Sequence, residues 1–176
     1  MSENGKQAQQ DIVVVGVDGS EGADAALEWA VAEARLRGAR LRVVFAWTLS
    51  YPRGEGYGYL IGPIDVPPYG TVSDQRHAAE RVLERATAHL WPTADGLEID
   101  REVAEGPAAE VLVDAAADAD LLVVGSRGHG GFVGLLLGSV SQQCAHRAAC
   151  PVVIVRAAHD DPHPTRVEPA ETGAAA

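Results

Sequence analysis

Lysine is almost missing from this 176-residue chain, and the single one is Lys6. That excludes a P-loop, whose G-x-x-x-x-G-K-[ST] motif needs a lysine on the phosphates. Long apolar runs are missing too; none approaches the ~20 residues that a bilayer crossing requires. The first residues, MSENGKQAQQ, lack the apolar core of a signal peptide, so 1–10 is expected to be a disordered lead. Positive charge is scarce: 14 Lys and Arg face 25 Asp and Glu, for a formal net charge of −11. That balance argues against non-specific binding to nucleic acid or to an anionic membrane. Cysteine is limited to Cys144 and Cys150, both placed on one predicted helix. Six residues of helix separate them by roughly 9 Å, too far for a disulfide. Two reduced thiols and no secretory leader point to the cytoplasm.

What is present is an alternation of strands and helices. Residues 12–17, IVVVGV, form an apolar run that ends at Asp18-Gly19-Ser20. Ser20 is placed to cap a helix whose apolar side reads as Ala25, Ala26, Trp29, Ala30, Ala34 and Leu36, with Gly38 ending it. A second strand follows at 41–47, and helical spacing runs over 73–90 until Trp91-Pro92. The third strand, 97–103, alternates; a helix opens near Pro107, a favoured first helical position. The fourth strand is 121–125, a last helix covers about 139–149, and Pro151 introduces the strand VVIVR. This order defines an α/β fold on a parallel sheet. The continuous apolar texture of the first and fourth strands places them centrally, and the alternating third at an edge. The fifth is apolar yet last, an edge that invites pairing with another chain. From residue 157 onward the chain is rich in Pro, Ala and acid, so 157–176 is expected to be a disordered tail around an 11–156 domain.

The chemistry concentrates in GSRGHGGFVGLLLGS, residues 125–139, which carries six glycines between a strand and a helix. Strand, glycine-rich loop and helix N-terminus together attract anions through backbone N–H groups and the helix dipole. The dinucleotide fingerprint fails because Val133 stands where its third glycine belongs. The G-x-S-x-G elbow fails at Val124 and at Asp18, and no spacing resembles a zinc site.

The spacing that does occur is Gly125-x2-Gly128-x9-Gly138-Ser139. It resembles the G-x2-G-x9-G-[ST] signature of the ATP-binding universal stress proteins. The segments VVGVDGS, VFAW, VAEGPAAEVLVDAA, LLVVGSRGHGG and CPVVIVR carry the resemblance over residues 11–156. It implies a single Rossmann-like domain with a five-stranded parallel sheet of order 3-2-1-4-5 and helices on both faces. It further implies an adenine-nucleotide site, ATP with Mg, built from Gly16, Asp18, Gly125, Ser126, Arg127, Gly128, His129, Gly130, Gly131, Gly138, Ser139 and Val140. A homodimer through the edge strand Val152 to Val155 is implied as well.

Several of these residues have a second reading. Ser139-x-x-Gln142 also fits a capping box, and Asp18 also fits a plain turn leading to the Ser20 cap. As a site residue, Asp18 accepts hydrogen bonds from the nucleoside or helps hold Mg. Arg127 and His129 are the loop's only cationic side chains and also fit a solvated surface; His146 and Cys144 read as helix packing residues. The segment 50–71, with all four tyrosines, fits a lid, a surface loop or a dimer contact. The expected function is a nucleotide-dependent regulator in the stress response. The alternative is a slow ATP hydrolase, or an enzyme that phosphorylates itself on Ser126 or Ser139. The thin catalytic equipment favours the regulator.

Overall fold

The computed structural model describes residues 10–48, 71–88, 96–128 and 136–157. The elements run β1 (Ile12–Gly16), α1 (Glu21–Arg37), β2 (Arg40–Trp47), α2 (Val72–Ala88), β3 (Ile99–Glu105), α3 (Ala108–Ala115), β4 (Leu121–Gly125), α4 (Ser139–Arg147) and β5 (Val152–Val155). All sheet pairings are parallel, in the order β3-β2-β1-β4-β5. The expected fold class and strand order are those observed.

Burial follows strand position. Ile12 to Val15 of β1 and Leu121 to Val124 of β4 are all buried, because helices cover both sides of the sheet centre. Alternate residues divide between two cores: Val13 and Val15 pack with α1 and α2, Ile12 and Val14 with α3 and Cys144 of α4. Edge strand β3 is only partly covered, and Arg101 and Glu102 are exposed. It begins two residues later than expected, since its ladder opens at Leu41 opposite Ile99; Leu97 packs on the core from just outside it.

Helix ends follow local chemistry. Ser20 accepts the Ala23 N–H at 3.2 Å, and Gly38, at φ 65°, takes the left-handed C-cap that a Cβ disfavours. The buried side of α1 consists of Gly22, Ala23, Ala26, Leu27, Ala30, Val31 and Ala34. Trp29 and Leu36, expected on that side, are exposed, so the helix is turned relative to the expected apolar side. Thr71 and Asp74 form an unforeseen capping box at α2: Asp74 accepts the Thr71 N–H at 2.7 Å, and Thr71 Oγ1 accepts the Asp74 N–H at 3.3 Å. Those hydrogen bonds hold the Asp74 carboxyl below the ordinary range. The stop at Leu90 and Trp91-Pro92 lies outside the described residues.

Pro107 is the N-cap of α3, one residue before the helix, not its first helical residue. The last turn of α3 contains no basic residue, so its carbonyls look elsewhere for a donor. Arg42 of β2 supplies it, donating to Ala115 O at 2.7 Å and to Asp118 Oδ1 at 2.8 Å. The hydrogen bond with Asp118 raises the Arg42 pKa and lowers that of Asp118.

α4 ends at Arg147, two residues earlier than expected, because Ala148 is already extended at ψ 141° on the way to Pro151 and β5. Cys150 therefore lies off the helix that carries Cys144, correcting their expected placement; both thiols are free, and burial pushes both up. His146 is exposed, so it is not the packing residue expected, whereas Cys144 is fully buried. Ala157, the first residue of the expected tail, is buried and extends the packed chain by one residue. Among the described residues no helix is long and apolar enough to cross a membrane.

Candidate functional site

β1 and β4 are neighbours, yet the helices that follow them lie on opposite faces of the sheet. That is the topological switch point, where open α/β sheets leave a crevice beyond the strand ends. Asp18 and Gly125 both stand at this end, as expected. Just past β1, Val17 still reaches β2, donating its N–H to Val44 O at 2.9 Å. Asp18 then turns the chain: its Oδ1 accepts the Ser20 N–H at 2.9 Å. The turn reading of Asp18 is therefore correct. Its other oxygen reaches across the crevice, because Asp18 Oδ2 occupies the place where Gly128 would carry a Cβ. Gly128 is a glycine so that this carboxylate can lie against the loop.

The glycines fall into two groups by what surrounds them. A Cβ on Gly16 would come within 2.7 Å of Leu112 Cδ1, so this residue is explained by the packing of α3 beneath it. A Cβ on Gly125 would lie 2.7 Å from the backbone carbonyl of Gly22, and one on Gly22 would lie 2.5 Å from Arg127 O. The start of α1 and the end of β4 thus meet backbone to backbone. Gly22 was not anticipated; its signal was a glycine in a first helical turn, where propensity disfavours it.

Gly138 differs from all of these. Its φ of −75° suits any residue, and among the described residues a Cβ there would meet only ordinary contacts, the nearest at 3.4 Å to Ser126 O. It is the N-cap of α4, which overturns the capping box proposed for Ser139: Ser139 is already the first helical residue, and it is exposed. The amides of Ser139 and Val140 belong to the first turn, where no carbonyl four residues back lies within the helix.

The loop is held by the backbone of Ser126. Its side chain is buried, the residue being 1% exposed. Its backbone ties three elements together. The Ser126 N–H donates to Val155 O at 2.6 Å, and its carbonyl accepts the Gly138 N–H at 2.7 Å and Ser141 Oγ at 3.1 Å. Ser141 also donates to Gly138 O at 2.9 Å, fixing the start of α4. Ser141 was missed because a serine two positions after Ser139 carries no motif. Arg127 is half-buried and not the solvated residue considered above; His129, Gly130 and Gly131 lie outside the described residues, as does most of 50–71.

An acidic turn faces a glycine loop and a helix N-terminus across the switch point of an open α/β sheet, the place where such folds bind ligands. The universal stress protein family model matches residues 10–156, and the chain belongs to that family. A universal stress protein of Mycobacterium tuberculosis is 33% identical over 162 residues, 92% of this chain and 54% of that protein. One from Mycolicibacterium smegmatis is 34% identical over 145 residues, 82% of this chain and 45% of the relative. The chain thus spans about half the length of these curated relatives. The crystal structure of a universal stress protein in complex with cAMP has a TM-score of 0.58 and 29% identity, and the match covers 84% of this chain and 98% of that one.

Proposed function

We propose that this protein is a nucleotide-dependent regulator that binds ATP, with Mg, in the β1/β4 crevice. The observation that carries the reading is Gly138: neither its backbone angles nor its neighbours among the described residues require a glycine, yet it opens α4 and donates its N–H to Ser126 O, two residues before Gly128. A bare Cα there leaves room for phosphate oxygens at the Ser139 and Val140 amides, where the helix dipole favours negative charge. The relative in complex with cAMP supports an adenine nucleotide as ligand. Asp18 offers one carboxylate for the nucleoside or for a Mg whose other ligands are phosphate oxygens and water. Arg127, with His129, supplies the positive charge of the loop. The two free thiols fit the reducing cytoplasm in which we place the protein.

Binding rather than turnover is the expected role. Phosphoryl transfer needs a positioned base or nucleophile beside the phosphates. Asp18 Oδ1 already accepts the Ser20 N–H, which ties this carboxylate to the turn rather than to a reacting hydroxyl or water, and Ser126 is buried. Phosphate release from Mg·ATP should therefore run far below the ~1–100 s⁻¹ of kinases. Fast release that disappears in Asp18→Ala would make the protein an enzyme.

The β5 edge supports a homodimer. Val152 to Val155 are half-buried, uncharged and without a strand beyond them among the described residues, which is how an edge awaiting a second copy looks. Ile154→Lys should shift the protein toward monomer in sedimentation. Mass spectrometry of gently purified protein tests the nucleotide reading: adenine nucleotide is expected to co-purify. A different ligand class, or an empty protein that gains no adenine nucleotide on incubation, would contradict it.

A further inference from the structure

The outer face of α1 carries an apolar stripe that the core does not use. At about 100° per residue, Ala25, Trp29, Ala32 and Leu36 fall within about 60° of one another on the helix. Trp29 is 36% exposed and Leu36 82% exposed; Ala32 is exposed and Ala25 half-buried. Glu28 and Arg35, one heptad apart and both exposed, flank the same side of the stripe with opposite charges. These six residues have a pattern under reversal. Run antiparallel about a centre between residues 30 and 31, the stripe sets Leu36 opposite Ala25 and Trp29 opposite Ala32 of the other helix. Every large residue then meets a small one, which lets two helices approach to roughly 8–10 Å. In an antiparallel pair like flanks meet, so Glu28 faces Arg35 twice, offset by about 3 Å along the axis.

We propose that this face of α1 is a docking surface for α1 of a second copy of this chain, packed antiparallel about a two-fold axis. Such an isologous contact needs a surface complementary to itself, and the Glu28/Arg35 arrangement supplies that complementarity. The contact uses neither β5 nor the nucleotide crevice, so it stands apart from the reading given above. Combined with a β5 two-fold, it would join dimers into tetramers or longer assemblies, according to the angle between the two axes. A single helix pair lies below the ~1,200 Å² of a standard interface, so association should appear only over roughly 10 μM to 1 mM.

Sedimentation equilibrium of the full chain over that range tests the proposal, comparing wild type with Glu28→Arg, Arg35→Glu, the double reversal and Leu36→Glu. Wild type should show a concentration-dependent association step, from monomer or from a β5 dimer. Each single reversal should weaken that step about tenfold, because it places two like-charge pairs in the contact, and the double reversal should restore it. Leu36→Glu should abolish it with an unchanged melting temperature. Equal masses for all five proteins would overturn the proposal. So would a lowered melting temperature of Leu36→Glu with unchanged mass, which would mean that the stripe is covered by the chain's own remaining segments.

Discussion

The turns that end β1 and β4 face each other across one crevice, yet they are built on different principles. Around the β1 turn every unusual residue is explained from inside the protein. Gly16 makes way for Leu112, Gly22 and Gly125 bring two backbones together, and Asp18 ties the Ser20 amide. Around the start of α4 the described residues supply no such explanation. Gly138 has ordinary angles and room for a side chain, and the exposed Ser139 caps nothing. The contrast separates glycines that fold the protein from a glycine that leaves space for something else.

Substitutions can break or sharpen that contrast. The largest effect should come from Gly125→Ala, whose Cβ would press on the Gly22 carbonyl, a backbone group with no easy escape. A loss of ~3 kcal/mol or more is expected in urea unfolding. Gly16→Ala meets only the end of the Leu112 side chain, which can partly yield, so ~1–2 kcal/mol is expected. In a Leu112→Ala background that penalty should vanish, and a double-mutant cycle reads the coupling directly. Ser20→Ala removes the cap of α1 and should cost ~1 kcal/mol in the same assay. Gly138→Ala should stay within ~1 kcal/mol of wild type, since the gain from a stiffer unfolded chain offsets the poorer cap. A Gly138→Ala as damaging as Gly125→Ala would erase the distinction.

Most of the fold was legible because strand texture reports burial. The continuous runs IVVV and LLVV are the fully covered central strands, and the alternating third strand is an edge. Gly38 and Ser20 gave correct helix ends because each acts through its own backbone or side chain. The buried side of α1 was misread because alanines dominate the helix, and the large residues Trp29 and Leu36 dominate any apolar count while facing out. α4 was overextended because nothing before Pro151 marks the stop; the chain leaves the helix at Ala148 to meet β5.

The placement of the candidate site residues was legible where spacing constrains backbone. Asp18, Gly128 and Gly138 do converge on the crevice. The burial of Ser126 was not legible, because sequence shows that a residue is in the loop but not how its side chain is covered. Gly16 and Gly125 belonged to the expected ligand set, yet internal packing already accounts for both. Only neighbours separated by long stretches of chain, Leu112 and Gly22, reveal that.

The most direct test is thermal melting of wild type and Gly138→Glu, first freed of nucleotide, with and without Mg·ATP. Gly138 has room for a Cβ among the described residues, so the variant should fold, while its carboxylate enters the space we propose for phosphate. If wild-type affinity is micromolar, millimolar ATP is about 1,000 times the dissociation constant and stabilises the fold by ~4 kcal/mol. For a chain of this size that raises the melting temperature by roughly 8–16 °C. Wild type should show that shift and Gly138→Glu almost none. No shift in wild type, or an equal shift in both proteins, would contradict a nucleotide site at the start of α4.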